Sequence, residues 1–419
     1  MSNDTNGPNH QALVDIGRAK IAWAKNHSPV LGSFVFKHLN DGTLRNKRIA
    51  VVVHLEAKTA YLATLLANAG ANVVAAGSNP ATTDGAVVAA LRDAGIHVVS
   101  DAGSDLATWE RELHRAADFE PDYVIDDGAE LTARIGKYRP DVFQSLKGVS
   151  EQTTTGTARL YALEHAGKLP FPALTANNAR CKHMFDNRYG TGQTTLQAVL
   201  RLSGRRLAGS KIAVIGYGYV GRGIAEYAAK LHARVMVIEV DPVRALEAHM
   251  DGHHVGTAHD VLPHAEFVIT ATGGIRALAR QDFSLLTHDV ILANAGHHDL
   301  EIDVDALSNA ADTISHPSPD TTTYTLGTRD VHVLCNGALV NIAGGSGHPV
   351  EIMDLSFAVQ GIGAHYLINT PLDPGVHVLP KVLDDAIARS KLESLGVTLA
   401  QPRPEQVDRH DGLIDEIEL

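Results

Sequence analysis

Ile212-Ala213-Val214-Ile215-Gly216-Tyr217-Gly218-Tyr219-Val220-Gly221-Arg222-Gly223 reads as a buried strand, a glycine turn and the start of an Ala-rich helix. The glycines permit a tight turn and let the backbone approach a pyrophosphate closely, while the helix N-terminus offers it free N–H groups. Glu239, closing the run Arg234-Val235-Met236-Val237-Ile238, is placed to accept hydrogen bonds from an adenosine ribose diol. An acid at this position favours NAD over NADP. A strand-to-helix turn without a ligand is the bland alternative, and the combination of strand, helix and acid speaks against it.

The rest of the chain fits a soluble enzyme of ordinary composition. It has 419 residues, enough for two or three domains, with 44% hydrophobic residues and a formal charge of −12. That charge gives a nucleic-acid partner no support. Cys181 and Cys335 are too few for a disulfide framework, Met1-Ser2-Asn3-Asp4 shows no signal-peptide pattern, and no apolar run is long enough to span a membrane. A cytoplasmic protein with no membrane partner is expected.

Apolar runs alternate with helical patterns in two blocks. The first contains Arg48 to Val53, Ala71 to Ala76, His97 to Val99 and Tyr123 to Ile125. The second contains Lys211 to Ile215, Arg234 to Glu239, Phe267 to Ile269, Val290 to Leu292 and Val331 to Leu334. Both read as parallel βα units, so the predicted class is α/β with two doubly wound, Rossmann-like parallel sheets. The polar start, to about residue 10, and the end from about Gln401 are expected to be loosely held.

Between the blocks lie Glu151-Gln152-Thr153-Thr154-Thr155-Gly156 and Asn177 to Gly190, polar and potentially reactive throughout. On a helix, Lys182 and Asp186 share a face at i and i+4. On a surface such a pair contributes a few tenths of a kcal/mol, about 0.3. In a cleft the lysine becomes a candidate base.

These motifs carry a resemblance. Thr153 to Gly156, Lys182 to Tyr189, the glycine loop and Glu239-Val240-Asp241-Pro242 occur in the same order as in S-adenosylhomocysteine hydrolase. So do Asn294-Ala295-Gly296-His297, Asp299 to Asp303, Leu339-Val340-Asn341 and Gly347-His348-Pro349, with His54 and Asp126-Asp127-Gly128 upstream. The resemblance covers roughly residues 12 to 395. It implies a split substrate domain (1–180 and 349–395), an inserted NAD domain (188–348) and a shortened tail (396–419), in a homo-oligomer, dimer or tetramer. It also implies a reaction in which NAD transiently oxidises a ribose 3′-hydroxyl, the ketone acidifies C4′–H, the 5′ substituent leaves, water adds and the ketone is reduced again. By the same resemblance Lys182 is the base for the 3′-hydroxyl, with Asp186 orienting it. His54 and Asp127 then serve the C4′ proton and the leaving group, and His297 lies near the 3′ oxygen and 5′ position. The implied NAD contacts are Thr153, Thr154, Thr155, Asn187, Gly216, Gly218, Tyr219, Val220, Gly221, Arg222, Gly223, Glu239, Arg244, Thr272, Asn294, Ala295, Gly296 and Asn341. Substrate contacts are Glu56, Lys58, Thr59, Gln152, Asn177, Thr191, His348 and Met353, with Leu355, Ser356 and Phe357 near the pocket mouth. No metal is implied. Each residue also has a plainer reading: His54 as a core histidine, Asp126 to Gly128 as a turn, Thr153 to Thr155 as a helix cap.

The departures from the family pattern cluster on the substrate side. Glu56 and Lys58 stand where a threonine and a glutamate or glutamine are usual, Gln152 replaces a glutamate, and Thr191 replaces a cysteine. In the NAD site Tyr219 replaces an aspartate and Arg244 an asparagine, and the family's Lys/Tyr-containing tail has no counterpart in Ile414 to Leu419. The chain thus resembles diverged members in nucleoside-antibiotic pathways, such as the angustmycin-type dehydratase, in which an adenine-type nucleoside loses water from a terminal hydroxymethyl group. Ordinary adenosylhomocysteine hydrolysis and a non-catalytic NAD-binding paralogue are the alternatives.

Overall fold

Runs such as Ile49-Ala50-Val51-Val52-Val53 and Ile212-Ala213-Val214-Ile215 are apolar on both faces, which suits a strand covered on both sides by helices. The structure, a computed structural model, describes residues 8–401 and 403. Its strands are β1 (Arg48–Val53), β2 (Asn72–Gly77), β3 (His97–Val98), β4 (Tyr123–Asp126), β5 (Gly148–Glu151), β6 (Pro172–Thr175), β7 (Lys211–Ile215) and β8 (Arg234–Ile238). They continue with β9 (His254–Val255), β10 (Phe267–Thr270), β11 (Val290–Asn294), β12 (Thr313–Ser318), β13 (Thr321–Leu326), β14 (Arg329–Leu334) and β15 (Gly375–His377).

Two sheets form. The first has the order β15-β6-β5-β4-β1-β2-β3 and is parallel throughout. The second has the order β12-β13-β14-β11-β10-β7-β8-β9, parallel from β14 to β9. Apolar layers cover both faces of each. Chain order reverses between β1 and β4 in one sheet and between β7 and β10 in the other. Ligands of open α/β sheets bind at such switch points, beyond the strands' carboxyl ends. β15 and the buried helix Val350–Asn369 return the chain to the first sheet after the second is complete.

The expected strands are present, within a residue or two at their ends. Missing from that expectation were β5, β6, β9, β15 and the antiparallel hairpin β12–β13, which makes the second sheet mixed. The hairpin's exposed β12 and Thr-rich, half-buried β13 lack the apolar run that marks a buried parallel strand. At the N-terminus Pro8 to His10 already belong to the helix Pro8–Asn26, against the expectation of a loose start. Residues 1–7, 402 and 404–419, on which the rest of both terminal expectations falls, lie outside the described residues. No helix among the described residues is long and apolar enough to cross a membrane.

Candidate active site

The two switch points face a shared cavity of about 1130 Å³. His54 follows β1, Asp127 follows β4, Gln152 to Thr155 follow β5, and Lys182, Asp186, Asn187 and Thr191 come from the segment leading to the second sheet. Opposite stand Gly216 to Val220 after β7, Glu239 after β8, Thr272 after β10 and Ala295 to His297 after β11. His348, Met353 and Phe357 complete the wall from the returning chain.

Lys182 sits where an α-helical turn widens into the π-helix His183–Gly190. The wider turn lets position i+5 approach position i. Lys182 Nζ accordingly donates to Asn187 Oδ1 at 2.7 Å, while Asn177 Oδ1 lies at 3.3 Å and Asp186 Oδ1 at 3.4 Å. Asp186 pairs with Lys182 as expected, but the nearest partner is Asn187, which an i,i+4 reading does not reveal. π-Turns within helices are frequent at functional sites. Asp186 accepts from Ser356 Oγ at 2.7 Å and Gln152 Nε2 at 3.3 Å, with His348 Nε2 at 3.5 Å. Burial pushes its carboxyl up, but Lys182, His348 and Ser356 outweigh that and hold it below the ordinary value. His348 also contacts Thr191 Oγ1 at 2.8 Å, and burial lowers its pKa.

The second group lies at the β1–β4 switch point. Asp127 has His54 Nε2 3.6 Å from Oδ2 and His297 Nδ1 3.8 Å from Oδ1, and Ser78 Oγ donates to Oδ2 at 3.3 Å. Oδ1 is buried and receives no hydrogen bond from any described residue. Burial, opposed by Asp127, pushes the His297 imidazole down to about 4, so the ring is neutral near pH 7. Glu130 lies within 4.8 Å of His297 and His298, and its two oxygens pair with Arg134 and Arg159 at 2.6 and 2.9 Å.

Several expected contacts have other duties. Thr153 Oγ1 accepts from Gly128 N and Gly156 N and donates to Glu151 Oε1, so it is a fully engaged cap of the helix Thr154–His165. Asn294 lies outside the cavity wall and ties the loop after β11 to the turn after β14 through the Gly296, His298 and Gly337 carbonyls. Gly221 and Gly223 also lie outside it, because their missing side chains let the helix Tyr219–Lys230 press on the Gly216 and Arg188 carbonyls. Asn177 reaches the site through Lys182, and Asn341, donating to Thr194, is buried behind the wall. Thr59 lines the cavity but gives its hydroxyl to the His54 carbonyl. Glu56 caps the helix Ala57–Asn68 by accepting from Lys58 N, and its Oε2 is 3.0 Å from Lys58 Nζ. Of the returning trio, Phe357 lines the cavity, Ser356 holds Asp186, and Leu355 packs in the core. Ser78, Gln360, Glu151 and Glu301 were missed as supports. Glu301 accepts from Thr272 and Gly273, and only its place among the quoted motifs hinted at a role.

Residues 187–347 match the model described as S-adenosyl-L-homocysteine hydrolase, NAD binding domain, and residues 9–142 match that of S-adenosyl-L-homocysteine hydrolase. The adenosylhomocysteinase of Thermotoga maritima is 44% identical over 92% of this chain and 96% of its own. The chain belongs to the S-adenosyl-L-homocysteine hydrolase family. Further members are the adenosylhomocysteinase of Thermococcus kodakarensis, 42% identical over 94% of each chain, and the S-inosyl-L-homocysteine hydrolase of Methanosarcina mazei, 40% identical over 92% of this chain and 94% of its own.

Membership in this family makes the protein an NAD-dependent enzyme, and the site fits the cofactor. Gly218 borders the cavity with no protein atom closer than 3.8 Å to where a Cβ would project. It caps the helix Tyr219–Lys230 without a side-chain hydrogen bond, leaving that helix's first N–H groups for a phosphate. Glu239 accepts from Tyr217 N, Val240 N and Asp241 N at 2.6 to 2.9 Å, which fixes its carboxylate beside the loop with lone pairs remaining for a diol. Arg244 stands beside Gly218, and the Tyr219 ring packs against His183, tilted by 40° with ring centroids 4.7 Å apart.

Proposed function

We propose that the protein dehydrates an adenine-type nucleoside carrying a terminal hydroxymethyl group, by transient oxidation of the neighbouring sugar hydroxyl, as in the angustmycin-type reaction. Bound NAD supplies the two-electron acceptor for the sugar carbon and later the donor that restores it. Lys182, as the amine, takes the hydroxyl proton, and Asp186, held by Ser356 and Gln152, stabilises the resulting ammonium. His54 then takes the proton from the carbon beside the ketone, where enolisation stabilises the carbanion. The electron pair forms the C=C bond as the terminal C–O bond breaks, and the proton on His54 passes to the departing oxygen, releasing water. Lys182 returns its proton when the ketone is reduced.

The observation that carries this reading is Asp127 Oδ1, a buried acceptor without a donor on a carboxylate that stands between two imidazoles, His297 on its side and His54 beside Oδ2. A terminal hydroxyl brings the missing hydrogen, and a thioether sulfur does not. At the base end, Glu56 and Lys58 offer an acceptor and a donor side by side, matching the N6 amino group and N1 of adenine. The printed names of the relatives favour a second reading, hydrolysis of the homocysteine thioether of a purine nucleoside.

The test is to incubate NAD-loaded protein separately with adenine psicofuranoside and with S-adenosylhomocysteine and identify products by mass spectrometry. Loss of one water from the first is expected, with little homocysteine from the second. Homocysteine release with kcat/KM of about 10⁴ M⁻¹s⁻¹ or more would replace the first reading by the second.

A further inference from the structure

We propose that Thr82 sets the tautomer of His54 and so acts as a positioning residue for the base, an inference that rests on the role given to His54 above. Beyond β2 the chain turns at Asn79, whose side chain accepts from Ala81 N at 2.9 Å and starts the short helical turn Pro80–Thr82. The Asn79 carbonyl accepts from Thr82 N at 3.2 Å and from Thr82 Oγ1 at 3.0 Å. A hydroxyl has one hydrogen to give. With that hydrogen assigned to the Asn79 carbonyl, the 2.7 Å contact between Thr82 Oγ1 and His54 Nδ1 takes the ring as donor.

The neutral ring is therefore protonated at Nδ1 and presents a lone pair at Nε2. That nitrogen faces Asp127 Oδ2 at 3.6 Å, an oxygen that already accepts from Ser78. Left to itself, a neutral imidazole beside a carboxylate turns an N–H toward it, and here that tautomer would have no base at Nε2. Thr82 holds the ring in the other form. When Nε2 takes a proton, the imidazolium donates at both ends, to Thr82 and to Asp127, so the protonated intermediate is stabilised without moving the ring. The partner of a histidine's far nitrogen decides which nitrogen reacts. The glycine-loop fingerprint and the quoted family motifs all leave Thr82 out, although it lines the cavity.

NAD-loaded protein labelled with 15N-histidine tests this by long-range 1H–15N correlation, with the His54 signals identified by their absence in His54→Gln. Wild-type His54 is expected to show an unprotonated Nε2, Thr82→Val an Nε2–H form, and Thr82→Ser the wild-type pattern. With nucleoside substrate, Thr82→Val is expected to reduce the cofactor at the wild-type rate. It should slow solvent exchange of the proton beside the ketone by about 10²-fold, with Thr82→Ser restoring it. An Nε2–H form in the wild type, or an unchanged tautomer in Thr82→Val, overturns the proposal. Absence of any substrate-dependent cofactor reduction in the wild type would instead overturn the function assigned to the site, and the tautomer result would stand on its own.

Discussion

Three acceptors surround Lys182 Nζ, matching the three hydrogens of an ammonium, so the residue is built to hold the proton it takes from a sugar hydroxyl. Lys182→Ala is expected to abolish the absorbance rise of the reduced cofactor on adding substrate. His54→Ala or Asp127→Asn should keep that rise and block product, because they act after the ketone has formed. Turnover by Lys182→Ala within about tenfold of wild type, less than a general base contributes, would sink the assignment. His297 makes a different prediction, about stability. Its folded pKa of about 4 lies below the ordinary 6.5, so between those values the unfolded chain binds a proton that the native protein does not. Stability from this group is therefore complete above pH 6.5, falls as pH drops toward 4 and changes no further below. The unfolding midpoint of His297→Gln should show a shallower decline than wild type across that window. Parallel curves would mean that the ring is already charged in the native state.

At the scale of elements, the glycines of the loop divide by what a methyl group would strike. At Gly218, where φ is −71°, an added Cβ meets no protein atom within 3.8 Å but projects where a pyrophosphate must come. At Gly223 it overlaps the carbonyl of Arg188 in the π-helix, so the close approach of two elements is at stake. Gly218→Ala should keep the wild-type melting temperature and lose NAD affinity, whereas Gly223→Ala should lose about 1–3 kcal/mol of stability through overpacking. Calorimetry with and without NAD checks both, and equal destabilisation by the two would refute the division. This contrast also shows what the sequence could tell. Apolar runs and the glycine fingerprint marked both sheets' central strands and the cofactor loop, because burial and tight turns leave a local signature. Nothing local marks β12–β13, whose threonines read as loop, or the π-helix, whose extra residue per turn does not alter composition. Thr82 and Gln360, and the bond of the pocket-mouth candidate Ser356 to Asp186, were illegible for another reason: the partners His54, Gln152 and Asp186 lie far away in the chain.

On the scale of the whole molecule, one hydrogen-bond chain joins three distant segments: Ser150 and Gln152 at the end of β5, Asp186 in the connection to the second sheet, and Ser356 and Gln360 in the returning helix. Ser150 Oγ donates to Gln360 Oε1, Gln360 Nε2 to Gln152 Oε1 at 2.9 Å, and Gln152 Nε2 to Asp186 Oδ2 at 3.3 Å. Because ionised Asp186 can only accept, the direction of every bond in the chain is set from that end. Gln152 is thus committed to Asp186 by its amide hydrogens, and a glutamate there would place two buried carboxylates face to face. One of them must then bind a proton, since like charges this close do not both ionise. In Gln152→Glu the native protein retains that proton above the ordinary glutamate pKa of about 4.3, where the unfolded chain releases it. The native state then binds more protons, so stability falls as pH rises, by about 1.4 kcal/mol for each pH unit the pair's proton affinity is raised. The gap in melting temperature between Gln152→Glu and wild type should therefore widen from pH 5 to pH 8. A gap that stays constant would mean that Asp186 is not ionised beside Gln152, and the direction of the whole chain, with the anchoring of Lys182 that depends on it, would have to be reversed.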